Sequence, residues 1–323
     1  MCTRVLWNTN DIAVLTGRSM DWPESTQPLI VAFPRGRQRD GGLLLTEVVV
    51  PDNPLRWTST YGSLATTVYG IGTVDGLNER GLAVHALYLK STDVGPRNPN
   101  LPGLQTALWA QYLLDQAATV TEALALMDAV QLVMVSAHGF DATLHLAIED
   151  ADGDSAIMEL ANGELVVHHG REFTLMTNDP TYDEQLTLLA AQDFSHPSSA
   201  MTLPGNVNPI DRFQRAAYYS ALLPKPESER QAVAGVMAIM RNVSVPFGAP
   251  YADFGVYNTE YRSVCDLTNR TYFFELTTSP STIWVQLEGL DLDERAQTKA
   301  VDPYDDTLTG NVTERFAPRE IGF

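Results

Sequence analysis

The chain has 323 residues, 44% of them hydrophobic, and carries 40 acidic side chains against 21 basic ones, a net charge of −19. That length and apolar share support a substantial core in one large domain or two ordinary ones. The acidity works against nucleic acid and anionic membrane surfaces, whose affinity comes mainly from Lys and Arg, and is read as a solubility device. No apolar run reaches the roughly 18 residues of a membrane span, and no basic region followed by an apolar one marks an export leader.

Thr3 to Asn8 reads as a strand, Asn8 to Asp11 as a turn and Ile12 to Arg18 as a second strand. Strand-like runs continue with Leu29 to Phe33, Leu43 to Val50, Ser59 to Tyr69 and Gly72 to Asp75. Gly76-Leu-Asn-Glu-Arg-Gly81 is a turn leading into Leu82 to Leu89. Helical spacing follows over Gln105 to Gln116, and Thr119-Val-Thr-Glu122 is a capping box that opens Ala123 to Val130. Strands resume at Ala142 to Glu149, Ala156 to Leu160, Leu165 to His169 and Phe173 to Thr177, with Asn162-Gly163 as a hairpin turn. Two helices are predicted over Asp211 to Leu223 and Glu227 to Val243, and three last strands over Asn258 to Asp266, Thr271 to Thr277 and Thr282 to Gln286. The order strands, helices, strands, helices, strands is not a βαβα alternation. It predicts an α+β fold of mainly antiparallel sheets, stacked face to face with helices outside.

The two cysteines do not make a disulfide framework. Cys265 lies in an apolar alternating stretch and reads as a small core residue. Cys2 has a chemical case. Once Met1 is removed, a thiol and a free α-amine share one residue, which makes a nucleophile with a built-in base. The hairpin that follows returns Arg18, Met20 and Asp21 to the strand end carrying Cys2. The histidines (85, 138, 145, 168, 169 and 196) are scattered and lack ligand spacing, so no metal site and no Cys-His dyad is expected. Asp150-Ala-Asp-Gly-Asp154 lacks the glycine and glutamate of a calcium loop and reads as an acidic turn. Taken locally, Thr177-Asn178-Asp179-Pro180 is a strand-ending turn, and Asp211-Arg212-Phe213 a helix cap followed by a solvent-facing arginine.

Taken together, Cys2-Thr-Arg, Gly17-Arg-Ser-Met-Asp-Trp22, Asp75-Gly-Leu-Asn-Glu-Arg-Gly-Leu82, Met176-Thr-Asn-Asp-Pro180, Asp211-Arg-Phe213 and Ser263-Val-Cys-Asp-Leu-Thr-Asn-Arg-Thr-Tyr272 stand in an order that resembles the choloylglycine hydrolase family, the penicillin V acylases and conjugated bile salt hydrolases among the N-terminal nucleophile hydrolases. The resemblance spans nearly the whole chain and implies a four-layer αββα sandwich, one domain over 1–323 with residues 300–323 as a peripheral tail, and a homotetramer. It implies Cys2 as nucleophile, Asp21 as the carboxylate orienting its amine, Arg18 as the guanidinium beside the thiol, Asn178 and the Tyr88 backbone N–H as oxyanion donors, and Arg212 as a further arginine of the site. No cofactor and no metal are implied. The partner is a small N-acyl amide. The aromatic at Tyr88 and Trp22 after Asp21 resemble the Gram-negative-type penicillin V acylase branch, and both are expected to touch substrate. Members of that branch cleave phenoxyacetyl penicillins and, in several cases, N-acyl homoserine lactones. A bile salt hydrolase is the alternative of the same class, and a catalytically idle binding protein retaining the fold the alternative of another. A start at Met-Cys implies a cytoplasmic enzyme, or a periplasmic one whose trimmed export signal has been replaced by Met1.

Overall fold

Asn10 closes the first turn. Its side-chain oxygen accepts from the Ile12 and Ala13 amides, and its amide donates to the Trp7 and Ala13 carbonyls. In this computed structural model, which describes residues 1–251 and 255–323, the hairpin so formed pairs β1 (Cys2–Trp7) with β2 (Leu15–Trp22). The register sets Cys2 opposite Met20 and Arg4 opposite Arg18. The second strand therefore runs past its expected end at Arg18 and carries Asp21 and Trp22 within the sheet.

The other strands in the main runs of the two large sheets are β3 (Ile30–Phe33), β4 (Ser63–Val68), β5 (Gly72–Asn78), β6 (Ala83–Tyr88), β7 (Leu144–Glu149), β8 (Ser155–Ala161), β9 (Glu164–His169), β10 (Leu175–Met176), β11 (Val256–Asp266), β12 (Thr271–Leu276), β13 (Thr282–Gln286), β14 (Lys299–Val301), β15 (Gly310–Asn311) and β16 (Ala317–Pro318). One sheet runs β10-β1-β2-β11-β12-β13-β15, and the other β9-β8-β7-β6-β5-β4-β3-β14-β16. All these pairings are antiparallel except β13 with β15. Helices α1 (Trp109–Gln116) and α2 (Val120–Met127) precede β7; α3 (Tyr182–Ala190), α4 (Pro209–Ala221) and α5 (Glu229–Asn242) lie between β10 and β11.

Helix α1 covers β5 and β6 of the larger sheet, while α4 and α5 cover β1, β2 and β11 of the smaller. The layers are therefore α, β, β, α, as expected. Both faces of the central strands are covered, so β1 is buried from Cys2 to Leu6 and β5 throughout. Two glycines permit the close layering. A Cβ at Gly17 would lie 2.7 Å from the Met240 and Val236 side chains of α5, and one at Gly76 2.8 Å from Leu114 of α1.

Several elements differ from their sequence reading. Leu43 to Val50 is not one strand but a short hairpin, Leu43–Leu44 against Glu47–Val48, because Leu45 takes a positive φ of 55°. Helix α3 was not predicted; its signal is the capping box Thr181…Glu184. Helix α4 begins at Pro209 behind an Asn208 cap, two residues before Asp211. The C-terminal residues lie along the edge of the larger sheet. β14 and β16 extend the larger sheet beside β3, Leu308, Val312 and Phe316 are buried, and the Phe323 ring lies 5.7 Å from that of Phe33. Among the described residues no helix is long and apolar enough to cross a membrane.

Candidate active site

Cys2 and Arg18 sit diagonally across the β1–β2 pair, on one face of the sheet. The Cys2 Sγ lies 3.4 Å from Arg18 Nη2 and 3.8 Å from Met20 Sδ. Arg18 also donates to the Ala86 carbonyl of β6 at 3.2 Å and to the Tyr261 hydroxyl of β11. Burial opposes the Arg18 charge, but Tyr261, Cys2 and Asp75 face it and hold its pKa above the ordinary arginine value. Burial also pushes the Tyr261 hydroxyl well above its usual range, so it stays neutral beside the guanidinium.

Asp21, Asn178 and Arg212 meet on the other side of Cys2. Asp21 accepts from Thr259 Oγ1 at 2.5 Å and from Ser19 Oγ at 3.3 Å, and it lies 3.5 Å from Arg212 Nη1. Asn178 accepts the Cys2 N–H at 2.7 Å and Arg212 Nη2 at 2.9 Å, and its own amide donates to the Tyr88 carbonyl at 2.5 Å. Arg212 further donates to the Cys2 carbonyl at 2.6 Å, to Thr3 Oγ1 and to the Val207 carbonyl. The local pattern made Arg212 a solvent-facing helix residue, yet it is fully buried. The earlier start of α4 turns it inward onto β1.

Met1 continues the β1–β2 ladder. Its carbonyl accepts the Asp21 N–H at 2.7 Å, its ammonium donates to the Asp21 carbonyl, and its side chain packs with Val245 and Tyr257. Burial pushes that α-amine below its usual pKa. The β2–β11 register slips between Met20, opposite Tyr261, and Asp21, opposite Thr259. The skipped residue is Glu260, a bulge whose carboxylate accepts from Ser25, Thr26 and Tyr304.

Beside Met20 and Ala86 opens an apolar pocket walled by Trp22, Tyr69, Tyr88 and Phe140. The Trp22 ring centroid is 5.9 Å from Tyr88 and 5.2 Å from Phe140, both edge-on, and Trp22 Nε1 donates to the Tyr69 hydroxyl at 2.9 Å. Phe140 arrives on a tight hairpin, Ser136–Ala137 against Phe140–Asp141. The two residues expected to touch substrate, Trp22 and Tyr88, thus share one apolar wall next to the Cys2–Arg18 pair.

Comparison with known proteins agrees with this geometry. The pattern of the linear amide C–N hydrolases of the choloylglycine hydrolase family matches residues 2–300. Penicillin V acylase of Pectobacterium atrosepticum is 34% identical across 99% of this chain and 90% of its own length. The chain belongs to the choloylglycine hydrolase family. Among solved structures, penicillin V acylase from Agrobacterium tumefaciens superposes with a TM-score of 0.87 at 37% identity, covering 99% of this chain and 98% of that one. A conjugated bile acid hydrolase variant from Clostridium perfringens shares the fold, with a TM-score of 0.80 at 20% identity over 95% and 98% of the chains. As a family member this chain is an amide C–N hydrolase with an αββα sandwich.

Within that family frame, local sequence reasoning missed Tyr261, Thr259 and the Ala86 carbonyl. Tyr261 shares the β-strand period of Ser263 and Cys265, which is the signal that it faces inward with them. It also missed His85, where the two motifs without an assigned role meet. His85 Nδ1 bonds Asp75, and Asp75 accepts from Ser263 and Tyr272 at 2.5 Å each. Asp75, His85 and Cys265 offer ligand atom types close together, but the other ring nitrogen of His85 bonds Glu149 at 2.7 Å. With both nitrogens given to carboxylates, the ring has no lone pair for a metal.

Proposed function

We propose that this hydrolase cleaves a linear amide with Cys2 as an N-terminal nucleophile, acting after Met1 has been removed. The observation that carries this reading is the Cys2 Sγ facing the Arg18 guanidinium at 3.4 Å beside an aromatic pocket. The guanidinium turns an N–H and its charge onto the sulfur that would attack. The freed α-amine of Cys2, held by Asn178 and Asp21, takes the thiol proton. Sulfur then attacks the amide carbonyl. The oxyanion is met by an N–H of the Asn178 amide and by the Tyr88 backbone N–H, donors typically worth about 3 kcal/mol of barrier each. The protonated amine delivers its proton to the leaving nitrogen as the C–N bond breaks, leaving a thioester. Water, deprotonated by the same amine, hydrolyses it and restores the thiol. Arg212 ties the Cys2 carbonyl, Asn178 and Asp21 into one frame.

The pocket walls of Trp22, Tyr69, Tyr88 and Phe140 fit a flat aromatic or an alkyl acyl group. Penicillin V, with its phenoxyacetyl group, is the substrate named for the 34% and 37% identical relatives; N-acyl homoserine lactones present the same amide on an alkyl chain. Turnover of penicillin V, penicillin G, acyl homoserine lactones of several lengths and glycocholate, measured with wild type and Cys2→Ala whose N-termini have been sequenced, tests both parts. Loss of all turnover in Cys2→Ala, with a thioester mass trapped on wild type, is expected. Undiminished turnover by Cys2→Ala would overturn the mechanism, and glycocholate as the best substrate would overturn the acyl assignment.

A further inference from the structure

Between the two sheets, next to the Cys2 site but outside it, runs a ladder of buried charges. Arg4 of β1 bonds Glu149 of β7, Glu149 bonds His85 of β6, and His85 bonds Asp75 of β5. Every member is fully buried. Ser155 and the Phe173 carbonyl complete Arg4, Thr16 lies 3.3 Å from the His85 ring, and Ser263 and Tyr272 complete Asp75. The ladder thus fastens β6 and its neighbours to β1, β2, β11 and β12 across the middle of the sandwich.

Strand β6 is also the strand of the larger sheet that touches the site. One residue after His85, the Ala86 carbonyl accepts from Arg18; two residues further, the Tyr88 carbonyl accepts from Asn178. The charges along the ladder alternate, cation at Arg4, anion at Glu149, cation at His85, anion at Asp75, and the next cation is Arg18. Three cations stand against two carboxylates. Among the described residues the hydrogen-bond partners of Arg18 are the Tyr261 hydroxyl, the Ala86 carbonyl, Met20 Sδ and Cys2 Sγ, none of them a carboxylate. Burial works against each charge, yet Glu149 and Asp75 raise His85 to about 9, and Arg4 with His85 holds Glu149 down at about 2. The imidazolium therefore persists across the neutral range.

We propose that His85 is a positioning residue for the amide hydrolysis: by occupying both Asp75 and Glu149, it leaves the positive charge of Arg18 directed at the Cys2 sulfur. This rests on Cys2 as the nucleophile. Remove the His85 charge, and Asp75 becomes the counter-ion of Arg18. Remove Asp75 together with the His85 charge, and Glu149 stays paired with Arg4 while Arg18 again has no competing carboxylate beside it. Besides Arg18, the charged or ionisable groups acting on Cys2 are Asp21, Arg212, Tyr257, Tyr261 and the chain α-amine. Those facing His85 are Asp75, Glu149 and, across the space between the sheets, Arg4, Tyr272 and Cys265.

The test is the pH profile of Cys2 alkylation by iodoacetamide, read by peptide mass on the purified protein with a sequenced N-terminus. His85→Gln is expected to move the profile to higher pH by about one unit, a roughly tenfold slower reaction at a fixed pH on the rising limb. The double variant His85→Gln/Asp75→Asn, which removes the freed carboxylate as well, is expected to bring the profile back towards wild type. Loosened packing alone would not be relieved by a second substitution in the same core. An unmoved His85→Gln profile, or a double variant shifted as far as the single one, overturns the proposal. Should His85→Gln fail to fold, His85→Asn removes the same charge and is judged by the same two outcomes. Alkylation reads the thiol itself, so the result stands whether or not Cys2→Ala abolishes turnover; that second measurement judges the nucleophile separately.

Discussion

Arg39 and Arg18 are both buried, one beneath α1 and one between the sheets, and they illustrate two ways of accommodating a guanidinium. Arg39 meets a fixed carboxylate, Asp115, at 3.2 Å, and that carboxylate also accepts from Trp57 and Gln111. The Phe33 and Phe323 rings lie 4.5 and 5.5 Å from the Arg39 guanidinium carbon. Even so, burial drives Arg39 down and Asp115 up, each towards its neutral form, as expected where pairing offsets only part of desolvation. Among the described residues Arg18 has no carboxylate as a hydrogen-bond partner, yet its neighbours push it above its ordinary value. The first arrangement ends on a carboxylate, and its polar contacts serve the fold. The second is open on one side, and what lies on that side is a thiol.

Breaking each pair should separate stability from chemistry. The largest effect is expected from Cys2→Ala, which should lower amide turnover at least ~10⁴-fold while leaving the unfolding midpoint nearly unchanged. Asp115→Ala strands a buried arginine and should cost about 3–5 kcal/mol in denaturant unfolding, with kcat of the folded fraction preserved. Arg18→Met keeps bulk but removes charge, and should lower kcat roughly 10²-fold with KM little moved. Next comes the pH dependence of stability. His85 is raised from 6.5 to about 9, so its imidazolium contributes fully below about 6.5, and that contribution is lost as pH rises through about 9. Wild type should lose roughly 3 kcal/mol of unfolding free energy across that window, and His85→Gln should show a flatter curve there. The smallest effect is expected from Phe140→Ala, which trims the pocket wall and should raise KM about tenfold for an aromatic acyl substrate, with kcat changing less.

Much of this was legible because it is local. The hairpin that carries Arg18 and Asp21 to Cys2 is written in fewer than two dozen consecutive residues, with Asn10 fixing its turn. The layer order followed from where strand-like and helix-like periods alternate. Arg212 was legible only through the ordered motif, since its own neighbourhood reads as a helix surface and only the placement of α4 on β1 buries it. His85 was illegible for the opposite reason. Its carboxylate partners come from two different strands, Asp75 ten residues before it and Glu149 sixty-four after it, and no spacing rule links them. The edge strand β16 was not legible, because Ala317–Pro318 is two residues long and gains its place only by pairing with β14.

The bulge at Glu260 divides β11 into two stretches with separate duties. From Tyr261 onward the strand is locked by Arg18, Asp75 and the larger sheet; before it, Tyr257 and Thr259 border the Trp22 and Asp21 end of the site. A side-chain exchange in one stretch leaves the alternation of the other intact, because the extra residue absorbs the phase between them. Deleting Glu260 would leave Thr259 opposite Asp21 in an unbroken ladder but would take away the carboxylate that holds Ser25, Thr26 and Tyr304. The protein therefore has a segment where specificity can drift by substitution while the charged interior stays fixed, and one bulged residue whose loss would free the Ser25–Thr26 turn and Tyr304 beside it.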